Sequence, residues 1–303
     1  MTKISICIPV YNQTKFLEKT LKSIQEQTFS EYQIVITDDS TNSDVLNLIS
    51  RFDFKEKLIY VRNSERLGSP KNWNKCISIA TGTYIKIMHH DDWFTNSDSL
   101  QLLYSTITAE NTNFIFSDAK VIMANSYSET TYKPGLEKIK LLRKNLNVLF
   151  YGNFIGAPSM TLYRRDSEII FDHNLKWLVD VDFYIRYLRK HPGFSYTERT
   201  LLTIVSDADH TVTAICEDDK EILIYENFYL YSKLKKKLNI FEKIKMAYFL
   251  LHLTRRFNIT SIGELKTLGV ADIPSIYFLL IFRLSSARFN LGKLRNRYIK
   301  SRN

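Results

Sequence analysis

The chain has 303 residues, 45% of them apolar and 24% charged, with only 9 Gly and 6 Pro; this supports one large or two ordinary globular domains and excludes a disordered, collagen-like or linker-rich chain. Three cysteines, Cys7, Cys76 and Cys216, lie far apart with no CxxC pair, which excludes a disulfide framework and points to a reducing compartment. The net charge is +10, but from Leu230 onward 16 Lys/Arg stand against 3 acidic residues, a net of +13, so a body of 26 Lys/Arg and 29 acids carries a basic tail.

The first half alternates short β-rich runs with helical patterns. Residues 4–8 form a strand that stops at Pro9, too short for a signal peptide. Phe16, Leu17, Leu21 and Ile24 mark one helical face over 14–27. A strand follows at 32–37, then a helix after Ser43 carrying Val45, Leu46, Leu48 and Ile49. Residues 58–61 read as a strand, Ser69-Pro70 opens a helix reaching about Ala80, and 84–88 is a fourth strand. This β-α-β-α-β-α-β order implies a parallel sheet with helices on both faces and ligands at the carboxyl ends of the strands.

The middle predicts strands at 113–117 and 120–124, a polar loop at 126–133, a helix at 137–150, a strand at 160–164, a helix at 180–190 and a strand at 201–205. Beyond Cys216 the pattern is helical. The composition break near 215–230 divides the chain into 1–215 and a basic helical region, 216–303. No run reaches the roughly 18–20 apolar residues of a spanning helix, so the expected location is the cytoplasm.

Polar clusters fall at the strand ends. Asp91 and Asp92, before Trp93-Phe94, suit Mg²⁺ or Mn²⁺, which needs few protein carboxylates when phosphates fill other positions; an Asp-rich turn capping the helix near Ser97 is the alternative. His89 and His90 precede them, but no third ligand stands at zinc spacing. Asp38-Asp39-Ser40 can bind a nucleoside or simply cap a helix. Asp180 and Asp182, at i and i+2, do not share a helix face: one can serve as a general base while the other pairs with Arg186, or both can answer the helix dipole. His210 sits in a polar loop, as a phosphate or metal contact or as an ordinary surface histidine. Neither GxGxxG after the first strand nor GxxxxGK[ST] anywhere is present, which removes the main support for dinucleotide-binding and P-loop readings.

Together, over about residues 3–215, these segments resemble the family 2 inverting glycosyltransferases of bacterial surface-polysaccharide type, with the GT-A fold. The resemblance runs through the opening strand and its Pro9-Val10-Tyr11-Asn12 turn, the strand ending in Asp38-Asp39-Ser40, the stretch from Asn63 to Gly82, the strand ending in Asp91-Asp92, and the helix from Asp180 to Arg186. Two positions depart from the family pattern: His89 replaces the first Asp of D-x-D-D, and Val179 replaces the acid before Asp180.

The resemblance implies a doubly wound, mostly parallel sheet with a helical C-terminal extension. It implies that Pro9, Tyr11 and Asp38 border the nucleotide base, that Asp91 lies near the ribose and metal, that Asp92 ligates Mn²⁺ or Mg²⁺, that Asp180 is the catalytic base and that His210 helps hold the diphosphate. The expected partners are a nucleotide-sugar donor and a glycan or lipid-linked acceptor. A nucleotidyltransferase and a non-catalytic sugar-nucleotide or polysaccharide-binding module are the competing readings; the first resembles a Gly-rich loop where Val10-Tyr11-Asn12-Gln13 stands. Nucleic acid is not expected, because no recognised motif accompanies Lys235-Lys236-Lys237. In the tail, apolar stretches at 246–253 and 276–282 alternate with Lys/Arg, as an interfacial helix on an anionic membrane requires, and the expected site is the cytoplasmic face; helices packed on the catalytic domain are the alternative.

Overall fold

Strand β1 (Ile4–Val10) is buried along its whole length, as is its parallel neighbour β2 (Tyr32–Asp38). Near-continuous apolar runs such as ISICIPV suit strands covered on both faces. β3 (Leu58–Arg62) extends this parallel set beyond β2, and β4 (Tyr84–Ile87) pairs with β1 on its other side. Helix α1 (Lys15–Gln25) buries Leu17, Leu21 and Ile24 in one cluster with Ile4, Ile6 and Ile8. Helix α2 (Asp44–Ile49) follows β2, and α3 (Lys71–Ile79) buries Cys76 with its thiol on the Val35 carbonyl. The α3 helix begins at Lys71, so Pro70 is its N-cap rather than its first residue.

The structure, a computed structural model, describes residues 2–206, 216, 218–274 and 283. The chain divides into two compact units, 1–214 and 215–303.

The second half of the first unit makes the sheet mixed. Its further elements are β5 (Trp93–Phe94), α4 (Ser99–Ala109), β6 (Phe114–Met123), β7 (Glu129–Tyr132), α5 (Leu136–Lys144), β8 (Thr161–Arg164), α6 (Val179–Lys190) and β9 (Ser195–Ser206). The strand order is β3-β2-β1-β4-β8-β6-β9-β5, with β7 on β6. β8 is antiparallel to both β4 and β6, and β9 runs parallel to β6.

Three expectations from sequence are adjusted here. The two strands at 113–117 and 120–124 are one strand, β6, whose pairing with β9 shifts register around Asp118. The polar loop at 126–133 contains β7, a mostly exposed hairpin strand whose Glu-Thr-Thr-Tyr composition gives no apolar alternation. The helix expected to reach Phe150 ends at Lys144, because Asn145 is extended and its side chain caps a short 3₁₀ turn by accepting the Asn147 amide.

Gly82 sits where no side chain fits. A Cβ there would lie 2.7 Å from the Ser5 amide nitrogen and 2.8 Å from the Ile4 carbonyl carbon. Its own amide donates to Ser5 Oγ at 2.8 Å, joining the start of β4 to β1. Gly82→Ala is expected to cost about 1–3 kcal/mol through backbone overpacking, read as a lower urea midpoint at an unchanged slope.

In the second unit, α7 (Lys220–Leu234), α8 (Ile240–Arg256) and α9 (Ile262–Thr267) each start at a side-chain cap. Asp219 accepts the Ile222 amide, Asn239 and Glu242 form a reciprocal capping box, and Ser261 accepts the Glu264 amide. No described helix is long and apolar enough to cross a membrane. The apolar stretch 276–282 and, apart from Arg283, the cations after it lie outside the described residues.

Candidate active site

The parallel register sets Val10 beside Asp38 and Cys7 beside Ile87, so the ends of β1, β2 and β4 form one rim. A cleft of about 690 Å³ opens at that rim, where an α/β sheet of this kind binds its ligands. Pro9, Tyr11, Asp39, Asp91, Asp92 and Asp180 all line it.

The first wall follows β1. Asn12 takes a left-handed conformation, φ 52°, which Asn tolerates better than most residues. Its amide donates to Ser40 Oγ at 2.8 Å and its Oδ1 accepts the Thr41 amide at 2.9 Å, fixing the turn against the end of β2. The Arg66 guanidinium lies 4.0 Å from the centre of the Tyr11 ring, a cation–π contact at the cleft wall.

Asp38 requires a correction. It is fully buried, with one oxygen accepting the Tyr60 hydroxyl at 2.7 Å and the other the Ser40 amide at 2.8 Å. The carboxylate that lines the cleft is Asp39. Asp39 accepts Asn63 Nδ2 at 2.7 Å and the amides of Leu67 and Gly68 at 3.1 and 2.8 Å, so it ties the Arg66 loop to the strand end. Asp38 is the last residue of β2 and braces β3, whereas Asp39 stands just beyond the strand, held at the cleft by the Arg66 loop.

The His89–Asp92 turn forms the second wall. Thr20 of α1 donates to the Asp92 carbonyl at 2.7 Å, and Ser159 Oγ accepts the His89 amide at 3.0 Å. Asp91 and Asp92 are 9% and 3% exposed. Burial, then the adjacent Asp91, pushes the Asp92 carboxyl well up. Such a pair of carboxylates is costly without a cation, since burial penalises each charge and the two repel.

One ligand atom from each of His89, Asp91 and Asp92 can lie within 4.8 Å of the others. Desolvation holds His89 down at about 4, so the ring is neutral at pH 7 and able to ligate; its buried Nε2 has no hydrogen-bond partner. The residues present therefore fit a divalent cation, with His89 as a third donor where the sequence suggested only the two carboxylates.

Lys86 was not singled out from sequence, yet it is fully buried in β4 and donates to the Ser159 and Thr161 carbonyls. Burial lowers its ammonium to about 7, against the attraction of Asp92.

Asp180 stands at the start of α6 on the third wall. Its Oδ2 accepts Asn153 Nδ2 at 2.7 Å and its Oδ1 the Val181 amide at 2.7 Å. Asn153 is itself locked: its Oδ1 accepts the Ile155 and Gly156 amides at 3.0 and 2.9 Å, and its Nδ2 also donates to the Gly156 carbonyl. Tyr132, pushed up to about 12 by burial and then by Asp180, donates to the Asn153 carbonyl at 2.9 Å. Asp182 is 1% exposed and held by Arg186 at 2.7 Å. His210 lies outside the described residues.

A family model described as "Glycosyl transferase family 2" matches residues 5–169. The putative colanic acid biosynthesis glycosyl transferase WcaA of Escherichia coli is 26% identical over 273 residues, covering 89% of this chain and 94% of that protein. The GalNAc(5)-diNAcBac-PP-undecaprenol beta-1,3-glucosyltransferase of Campylobacter jejuni is 26% identical over 195 residues, 61% of this chain and 62% of that protein. Among solved structures, residues 1–349 of Staphylococcus aureus TarS in complex with UDP-GlcNAc align with a TM-score of 0.62 at 18% identity, covering 84% of this chain and 73% of that one. That likeness shows a shared GT-A-type fold.

Proposed function

The chain belongs to glycosyl transferase family 2 and is a glycosyltransferase; we propose that it moves a sugar from a nucleoside-diphosphate donor to a hydroxyl of a cell-surface glycan or lipid-linked saccharide, with inversion at the anomeric carbon. The observation that carries this reading is one cleft joining three strand-end carboxylates, Asp39, Asp91 and Asp92, to Asp180 at a helix start much later in the chain.

In this reading Pro9, Tyr11 and Asp39 border the nucleotide base, with Arg66 stacked on Tyr11. His89, Asp91 and Asp92 hold the cation; an imidazole in the set favours Mn²⁺ over Mg²⁺, which prefers oxygen ligands. When bound, that cation supplies positive charge where the diphosphate leaves. Asp180 takes the proton from the acceptor hydroxyl as its oxygen forms a bond to the anomeric carbon and the bond to the diphosphate breaks. A single displacement of this kind inverts the centre. Asp182 is not available for the task, since Arg186 holds its carboxylate.

The undecaprenol named in the Campylobacter relative and the UDP-GlcNAc bound to TarS support a lipid-linked acceptor and a nucleotide-sugar donor here. The cytoplasmic side of the membrane fits the three buried cysteine thiols.

Incubation with a panel of nucleotide sugars, Mn²⁺ and saccharide acceptors is expected to release nucleoside diphosphate from one donor, dependent on acceptor. Stoichiometric binding without release from any donor would support a non-catalytic module instead.

Asn153 should act through Asp180. Removing its amide frees the carboxylate to rotate, so Asn153→Ala is expected to lower kcat about 10-fold or more with donor KM within about twofold. Steady-state kinetics check this, and the loss should vanish when the same change is made in Asp180→Asn, because the two side chains act as one unit.

A further inference from the structure

Among the described residues, helix α8 presents an exposed apolar face. Its Met246, Leu250, Leu251 and Thr254 are buried, whereas Ile240, Phe241, Ile244 and Tyr248 are 57%, 74%, 54% and 58% exposed. Offsets of one, four and eight residues put these four on one side of the helix. Single exposed apolar side chains are ordinary, but a contiguous group marks a contact surface. Four of the eleven large exposed hydrophobics among the described residues fall within these nine positions, so the patch is not scatter.

The charge around the patch selects its occupant. Between positions 235 and 256 there are seven Lys/Arg and one acid, Glu242. Glu242 is turned to its own helix, where its carboxylate accepts the Asn239 amide at 3.0 Å. Lys236, Lys237 and Lys245 are exposed beside the apolar residues. An occupant must therefore be apolar within and anionic at its surface, which describes the headgroup region of an anionic bilayer. Tyr248 is suited to that boundary, where an aromatic body meets a wet interface, and Phe241 to its apolar side. The apolar run at 246–253, which the sequence pattern marked for the membrane, supplies much of the packed face instead.

We infer that this face of α8 docks the protein on an anionic lipid bilayer, with the helix lying in the headgroup plane, Ile240, Phe241, Ile244 and Tyr248 entering the acyl boundary and the lysines meeting lipid phosphates. The inference is independent of the roles given to the catalytic cleft.

Cosedimentation of the full chain with phosphatidylcholine vesicles, with and without phosphatidylglycerol, tests it. Recovery is expected with the anionic vesicles and should fall as salt is raised. Phe241→Ser with Ile244→Ser is expected to lower partitioning at least 10-fold, at unchanged Tm and unchanged turnover on a soluble acceptor. Lys236→Gln with Lys237→Gln should also weaken binding to anionic vesicles and leave the neutral-vesicle background as it was. Unaltered partitioning of the Phe241/Ile244 variant would overturn the inference, as would equal recovery of the wild type with neutral and anionic lipid. Absence of wild-type binding together with a dimer that the same variant dissolves would also overturn it, by showing a second copy on the face.

Discussion

Asp180→Asn is expected to lower kcat by about 10²–10⁴-fold, the range that a positioned general base contributes, while donor KM stays within about twofold. The exchange is nearly isosteric. The new side chain retains a carbonyl oxygen that can accept Asn153 Nδ2, as Asp180 Oδ2 does at 2.7 Å. It loses the capacity to accept the Val181 amide through its second terminal atom. Folding should therefore be little changed, which a thermal melt checks. A loss confined to kcat is the mark of an interaction made in the transition state. Asp182→Asn should behave differently: it leaves the Arg186 guanidinium without its buried carboxylate, so its first effect should be on stability. If Asp182→Asn lowered kcat more than Asp180→Asn at equal Tm, the two roles would have to be exchanged.

Asp92→Asn is expected to abolish metal-dependent binding of a nucleoside diphosphate and to reduce turnover to background. EDTA should do the same to the wild type. The sign of the stability change separates this from ordinary damage. Burial, with Asp91 beside it, raises the Asp92 carboxyl, so in the metal-free protein ionised Asp92 costs stability above the ordinary carboxylate range. Removing the charge should leave the metal-free Tm equal or higher. Wild type should gain Tm with Mn²⁺ and nucleoside diphosphate, since a ligand at 100 times its Kd adds about 2.7 kcal/mol. The variant should gain none. Undiminished wild-type turnover in EDTA would remove the metal from the mechanism.

The rim of the cleft is legible in the sequence because β-rich runs stop just before polar clusters: Ile4 to Ile8, ending at Pro9 ahead of Tyr11-Asn12, and Tyr84 to Met88 before the His89–Asp92 turn. Which member of Asp38-Asp39 lines the cleft is not legible. That depends on where β2 ends relative to Tyr60 on β3, a tertiary contact between strands. Lys86 did leave a signal, a charge inside the Tyr-Ile-Lys-Ile strand, where burial demands partners. Asn153 left none. It lies in an irregular loop with no periodicity, and its partner Asp180 is distant in sequence. The α8 face is only partly legible: hydropathy marks the apolar run at 246–253, of which packing buries Met246, Leu250 and Leu251 and exposes Tyr248, whereas Phe241 and Ile244 are exposed just before it. In the second half of the sheet, strands such as β7 pair at an exposed edge and need no apolar alternation.

The stereochemistry of transfer tests the central claim most directly. Once the donor is identified, the anomeric proton of the product can be followed by NMR from the first turnovers with an α-linked nucleotide sugar. A single displacement assisted by Asp180 predicts a β-linked product, formed only with acceptor present and slowed in Asp180→Asn in step with kcat. An α-linked product would contradict direct attack by the acceptor and require a second displacement or a different reacting face of the sugar.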